Sequence, residues 1–414
     1  MMTRALFGAS VLALVASAAT AQTKVISAAE KVARDNAPMG VRAGGFLIVP
    51  KVDVDGEYND NIYATQTNET SDFITTIRPE VAVKSNWSRH AVNALARVET
   101  KKYADKSSED QDNYLAALDG RADVMRDTSI GGGVAFARDH DERGNPNNVA
   151  SGVEPTEFET TTGRVGLYRG LGKANARFDS EAKNIDYKNG RTSAGALVDN
   201  NLRDRNEYAQ TLRFGYKYTP EVEAFVKGTM DNRVYDRKGT AANRLRSNQG
   251  QTYTAGAAFD MTGKTKGEVY AGVAERNYVD NGFKDISEPT FGGKVTWNFS
   301  ELTTLKAAID RGIEETTLGA SSGYVGTAYT AGVEHALMRN VVLRANAGMT
   351  NNEYKGFAAN QREDDIVSAG VGADYWINRC FKAALDYGYT DRDSNVTNSD
   401  YSRNTVMVRL TATY

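Results

Sequence analysis

Three histidines and one cysteine are all that 414 residues offer for acid–base, nucleophilic or soft-metal chemistry. His140 lies in Asp139-His140-Asp141-Glu142, where neighbouring carboxylates suggest an Asp–His pair or a divalent-cation site. His90 and His335 fall near tight turns, whereas His140 falls in a long loop, so the pattern does not bring the three together. No Ser–His pairing, glycine-rich phosphate loop or metal-ligand spacing accompanies them. Cys380 is alone, which rules out an intramolecular disulfide, and it reads as a small packed residue in a turn. The plain reading of the 139–142 run is a solvated loop. The expectation is therefore a protein without catalysis, cofactor or bound metal.

The chemistry is spread instead along alternating segments. Arg97, Glu99, Arg177, Asp179, Glu181, Glu223, Lys227, Asp231, Lys306 and Asp310 each stand beside an apolar or small residue. So do Arg344, Asp374, Lys382, Asp386 and Arg409. Phase puts these on one face, and Val52, Val54, Val98, Val222, Val226, Phe381 and Leu385 on the other. The charged face mixes both signs, unlike the one-signed ring of a strongly ion-selective pore. Phe225, Tyr168, Tyr270 and Trp376 share it and offer stacking platforms for sugar rings, without forming a continuous track. Tyr216, Tyr218, Trp297, Phe299, Tyr375, Tyr387 and Tyr389 sit at strand ends, which suits aromatic girdles at a membrane interface.

The elements that position these residues are strands. From about Gly45 to Tyr414 an alternating strand, a tight turn, a second strand and a long polar loop recur roughly every 40 residues. Short and long connections alternate, so turns collect at one end and loops at the other. That asymmetry predicts an all-β, antiparallel up-and-down transmembrane barrel of about 18 strands. Its short turns would be periplasmic, near 86–89, 126–127, 170–172, 219–220, 262–263, 300–301, 339–340 and 378–379. Its long loops would be extracellular, with 140–156 and 188–203 the ones most able to fold inward. About 18 strands enclose a bore wide enough for water unless something fills it.

The ends agree. Arg4, the apolar run 5–16 and Ala19-Thr20-Ala21 read as a signal peptide, 1–21, too short for a retained spanning helix. Residues 22–44 form a leader in which Ser27-Ala28-Ala29-Glu30-Lys31-Val32-Ala33-Arg34 suits a short helix, a docking element rather than a full plug. The last strand ends on Tyr414, resembling the terminal aromatic signal read by barrel-assembly machinery. A mean hydropathy of −0.51 is compatible with a membrane protein only because alternate residues alone need be apolar. The net charge of −3 gives no case for nucleic acid. The expected location is the outer membrane of a Gram-negative bacterium, in contact with lipid and lipopolysaccharide, as a monomer.

The first hairpin carries more than periodicity. Gly40-Val41-Arg42 leads through Phe46 to Pro50; then comes Gly56-Glu57-Tyr58-Asn59-Asp60-Asn61-Ile62-Tyr63. Pro79 precedes Ser85-Asn86-Trp87-Ser88-Arg89-His90. These segments resemble the putative β-barrel porin 2 family, outer-membrane barrels linked to exopolysaccharide loci. The resemblance in wording covers about the first fifth of the mature chain. It implies an outer-membrane conduit for a polysaccharide cargo, working with a periplasmic export protein. The residues matching the motif, Gly56, Tyr58, Asp60, Asn61, Pro79, Trp87 and His90, read as structural. Gly56 and Pro79 suggest a bend or bulge, Trp87 an interfacial anchor, and Asp60 with Asn61 a hydrogen bond to a neighbour near the outer rim. A general or sugar-selective diffusion porin and a surface adhesin remain the alternatives.

Overall fold

The computed structural model describes residues 25–147, 153–238, 244–261, 263–319, 321–357 and 361–414. The expected signal peptide lies outside the described residues. Eighteen long strands follow one another around a closed antiparallel barrel. They are β1 (Phe46–Asn59), β2 (Asp72–Ser85), β3 (Ala91–Tyr103), β4 (Gln111–Met125), β5 (Thr128–His140) and β6 (Glu157–Leu171). Next come β7 (Ala174–Tyr187), β8 (Arg205–Lys217), β9 (Val222–Tyr235), β10 (Asn248–Met261), β11 (Thr265–Tyr278) and β12 (Ile286–Asn298). The last six are β13 (Thr303–Glu315), β14 (Ser321–Met338), β15 (Val341–Gly356), β16 (Glu363–Trp376), β17 (Phe381–Ser394) and β18 (Tyr401–Thr413). Among the described residues one helix, α1 (Ala28–Asp35), precedes them.

The expected connection pattern is present: short turns at one end (the turn end), long loops at the other (the loop end). Strands of 13 to 18 residues exceed the roughly 9–11 that a membrane requires, so the wall rises beyond an apolar belt. That belt is the outer face: Val54, Leu118, Val134, Val165, Val226, Val269, Val371, Leu385 and Leu410 are all exposed on it. A contiguous apolar surface of this extent is unsuited to water and suits lipid. Buried side chains of the described residues are more often polar than apolar, the inverse of a soluble domain.

The seam is the β1–β18 pairing, from Lys51 opposite Thr413 to Asn59 opposite Thr405. Below it, Val41–Ala43 pairs with Phe46–Ile48, so the remaining edge of β1 is also covered. Inside the seam, Arg409 donates to Asp55 at 2.7 and 2.9 Å, and the Thr411 hydroxyl donates to Asp53 at 2.7 Å. Arg78 on β2 lies 3.6 Å from Asp53, 3.4 Å from Asp55 and 2.8 Å from Glu99, joining β1 to β3. At the loop end, Asp60 accepts from the backbone and side chain of Asn404 at 2.7 Å each, and Asn61 donates to the Ser402 carbonyl at 2.9 Å. The motif carboxylate and amide thus fasten the first strand to the last.

Two details depart from expectation. The first strand stops at Asn59, short of Tyr63, because the Asn61 side chain bonds to both N–H and C=O of Thr65 and turns the chain. Gly56 marks no bulge, since both ladders run through it unbroken; a Cβ there would stand 3.0 Å from the Phe73 ring, which occupies the space. Pro79 does interrupt a ladder: β2 and β3 skip Arg78 and Pro79, as proline lacks the donor. Trp87 packs edge-on against Phe46 at 5.3 Å, and His90 Nδ1 accepts from the Asp123 N–H at 3.1 Å.

The seam predicts its own test. Arg78→Met would leave Asp53, Asp55 and Glu99 buried with less cation between them, at a cost of about 3–5 kcal/mol. Arg138→Met, at an exposed pair with Glu159, would cost under about 1 kcal/mol. Urea unfolding of both variants in detergent, followed by heat-modifiable gel mobility, measures the difference; equal midpoints would remove the seam network as a stabilising element.

Candidate functional site

The site is the lumen. Each charge assigned inward by phase stands on the inner wall, and most are engaged across neighbouring strands. Arg97 pairs with Glu80; Glu99 accepts from Arg78 and Asn113. Arg177 grips Asp179 at 2.6 and 2.9 Å, while Arg213 donates to Glu223 at 2.5 Å. Arg276 reaches Asp231, Lys306 pairs with Glu334, and Arg344 joins Asp374 to Asp386 at 2.7 and 2.9 Å. Lys382 adds a second cation to Asp374 at 3.2 Å. Lys227 stands over the Tyr270 ring, whose hydroxyl donates to Asp310 at 2.5 Å. Glu181 lies directly opposite Arg164 in the β6–β7 ladder. Charges of both signs are interspersed and mostly paired on this wall.

The loop end is narrowed from one side. Pairing of β12 with β13 stops at Phe291–Arg311, so the upper part of β13, with β14, parts from β12 and leans inward. Its outward-phase residues become covered: Val325 and Ile313 pack with Tyr278, Phe283 and Ile286. Arg311 meets Glu288 at 3.4 Å, and Glu315 meets Arg233 at 2.6 Å. Arg246 donates to the carbonyls of Thr316, Leu318 and Ser321, clamping the tip. Alternation alone assigns Val325 to lipid; separation of two strands reverses its side.

A second segment spans the mouth. Residues 141–147 cross the mouth from β5 to the β13–β14 connection, eight strands on in a ring of eighteen. Asp141 pairs with Arg203 at 2.6 Å. Arg143 grips Glu109 through two bonds, at 2.9 and 2.6 Å, with Glu109 only 2% exposed. Arg392 donates to the Gly144 carbonyl, and Asn147 accepts from Thr316 Oγ1 at 2.8 Å and Thr317 N at 2.9 Å. Gly144 has φ +83°, and a Cβ there would stand 2.7 Å from that of Ala64. Tyr63 flanks the Arg143 grip; burial and the Glu109 carboxylate push its hydroxyl above the ordinary range, keeping it neutral. Of the two loops read as able to fold inward, 140–156 and 188–203, the first supplies this strap through its residues 141–147.

The turn end holds α1. Ser27 and Glu30 form a reciprocal capping box, and Ala28 and Val32 pack on Ala336, Val342 and Trp376 of the inner wall. Ala28 N donates to Thr304 Oγ1 at 2.8 Å, and Asn298 donates to the Ile26 carbonyl at 2.9 Å. An isolated helix of eight residues is marginal, so the wall holds it folded. The helix of the leader is thus seated against the inner wall at the turn end.

The other candidates disperse. Trp376 is taken by α1, and Phe225 is 5% exposed beneath Arg213 at 4.1 Å, leaving Tyr168 and Tyr270 as interior rings. His140 bonds to Asn113 at 2.8 Å and His335 to Thr303 at 2.9 Å, on different walls. Among the described residues no His, Cys, Asp and Glu grouping forms a metal site. Tyr414 is exposed beside the seam, its N–H donating to the Pro50 carbonyl at 3.2 Å. The anchors of the strap and the leaning hairpin escape sequence reasoning because their contacts join distant loops; only Gly144 in Arg143-Gly144-Asn145 hints at a forced turn.

Releasing the strap should open the mouth. Arg143→Ala with Asn147→Ala is expected to raise single-channel conductance or open time several-fold over the unaltered barrel in planar bilayers, and Gly144→Val to act in the same direction. Currents unchanged in both variants would mean that the strap does not limit passage.

No curated protein matches the chain. Among solved structures, the siderophore receptor PiuA from Acinetobacter baumannii aligns over 91% of this chain and 82% of its own, with 10% identity and a TM-score of 0.49. OccK9 (OpdG) from Pseudomonas aeruginosa aligns over 89% and 98%, with 10% identity and a TM-score of 0.47. OpdK from the same organism aligns over 89% and 99%, with 8% identity and a TM-score of 0.44. Likeness this low says nothing of cargo. The family model described as "Putative beta-barrel porin 2" matches residues 35–414, the whole described barrel together with the end of its leader. With that match, the first-hairpin resemblance becomes an assignment: the chain belongs to this family of β-barrel porins.

Proposed function

We propose that this protein is an outer-membrane channel whose cargo is a secreted polysaccharide, passed to it by a periplasmic export protein. One observation carries the channel reading: a polar, charge-paired inner wall inside a lipid-facing apolar belt, continued over all eighteen strands. The finer reading rests on the first-hairpin motif and the exopolysaccharide association of the family it resembles. A wall of mixed charge suits a hydroxyl-rich polymer better than a one-signed ion filter does. The seated helix and strap restrict such a conduit when no cargo is threaded.

In this reading lipid and lipopolysaccharide surround the belt, the barrel-assembly machinery reads the strand ending at Tyr414, and a monomer suffices. The export protein meets the turn end, beside α1. Mature protein begins after residue 21, and no catalysis is involved. A second reading, a general diffusion porin, draws on the family's description and on the mixed-sign wall.

A clean gene deletion separates the two. The export reading expects polysaccharide to fall outside the cell and to accumulate in the periplasm, with both restored by the wild-type gene. Unchanged secretion, together with slower uptake of small sugars, would replace it with the diffusion porin.

A further inference from the structure

A recess in the inner wall, between β4 and β8, has the chemistry of a sugar-binding subsite. β5 carries Gly131-Gly132-Gly133 and β6 carries Gly166, so two adjacent strands lack side chains at one level. The hollow measures about 300 Å³, at the lower bound of small-ligand sites. Its rim holds Arg121, Arg164, Tyr168, Arg177, Asp179 and Glu181. Asp119, opposite Gly133, brings the charges to three of each sign.

These charges are not equivalent. Arg177 is committed to Asp179, Arg121 to Asp123 at 3.1 Å, and Asp119 accepts from Asn93 at 2.9 Å. Arg164 differs: its Nε and Nη2 are shielded from the surface, yet no described residue accepts from them. Glu181 stands directly opposite in the ladder and does not satisfy them. A guanidinium and a carboxylate therefore face one hollow with their hydrogen-bonding capacity unspent, beside the Tyr168 ring. Arg121 and Arg177 on the same rim are paired with carboxylates, so the unpaired Arg164 beside them calls for an explanation.

We propose that this recess binds a neutral sugar ring, a reading that rests on the proposed saccharide channel. An anion would meet Asp119, Asp179 and Glu181; a cation would meet three arginines. A polyol both donates and accepts: vicinal hydroxyl oxygens accept from Arg164, hydroxyl protons go to Glu181, and the ring face lies on Tyr168. The glycines supply depth, which a leucine at Gly131 would fill. The site lies partway along the wall, between helix and strap, where it would hold one unit of a passing chain.

The test uses the full-length barrel in detergent, with Arg143→Ala and Asn147→Ala to admit ligand, and maltotriose as the probe. Calorimetric binding is expected, weakened about tenfold or more by Arg164→Met or Gly131→Leu. A trimer of hexuronic acid is expected to bind more weakly than maltotriose. Heat-modifiable mobility confirms that both variants fold; Gly131→Leu leaves every wall charge in place. Absence of binding, equal binding by the folded variants, or tighter binding of the acidic trimer would each overturn the site. Proteoliposome swelling in maltotriose reads the channel separately. Swelling with unchanged binding in the variants refutes the site alone. Lost binding in the variants without swelling of the parent leaves the site standing and refutes the channel.

Discussion

A bilayer core contains no water, so each backbone N–H and C=O within it must find a partner in the protein. For a sheet this leaves one solution, closure, and closure depends on the first strand finding the last. Everything else in this molecule follows from the β1–β18 seam. The ladder from Lys51 to Asn59 satisfies the backbone, and Val41–Ala43 covers what β18 leaves exposed. The side chains make the join specific: Asp53 and Asp55 meet Thr411 and Arg409, while Asp60 and Asn61 take hold of Asn404 and Ser402. A register slip of one residue would turn these groups toward lipid.

Once closed, the barrel must dispose of its interior. Apolar filling would make it a solid rod; unpaired charge would repel itself. The wall instead pairs acids and bases between adjacent strands, as Arg344 does with Asp374 and Asp386. Pairing holds long side chains against the wall, leaving space that other elements then restrict. The inward lean of β13 and β14 narrows the loop end with no added domain, using Val325 and Ile313 as a local core where charge would otherwise continue.

The period of two made strands, faces and the direction of turns legible from the residues, because one physical rule acts at each position. The short helix was legible from the Ser27–Glu30 pattern, and a cross-strand role for Asp60 and Asn61 from their place near a rim. The strap was not. Arg143 is an ordinary loop arginine until Glu109, 34 residues earlier, is brought beside it, and Asn147 meets Thr316 at a separation of 169 residues. The fate of Val325 was equally hidden, since it depends on where β12 lets β13 go. Arg164, whose buried nitrogens lack an acceptor, is one charge among many until the partners of its rim neighbours are known.

The strap also imposes an order on biogenesis. Its anchors come from the β1–β2, β3–β4, β7–β8 and β13–β14 connections, and finally from Arg392 and Tyr401 on the last two strands. Residues 141–147 are made early, yet their full set of partners exists only when the C-terminal hairpin has arrived. A barrel whose last two strands are misplaced therefore lacks the Arg392 and Tyr401 anchors, and its strap is held on one side only.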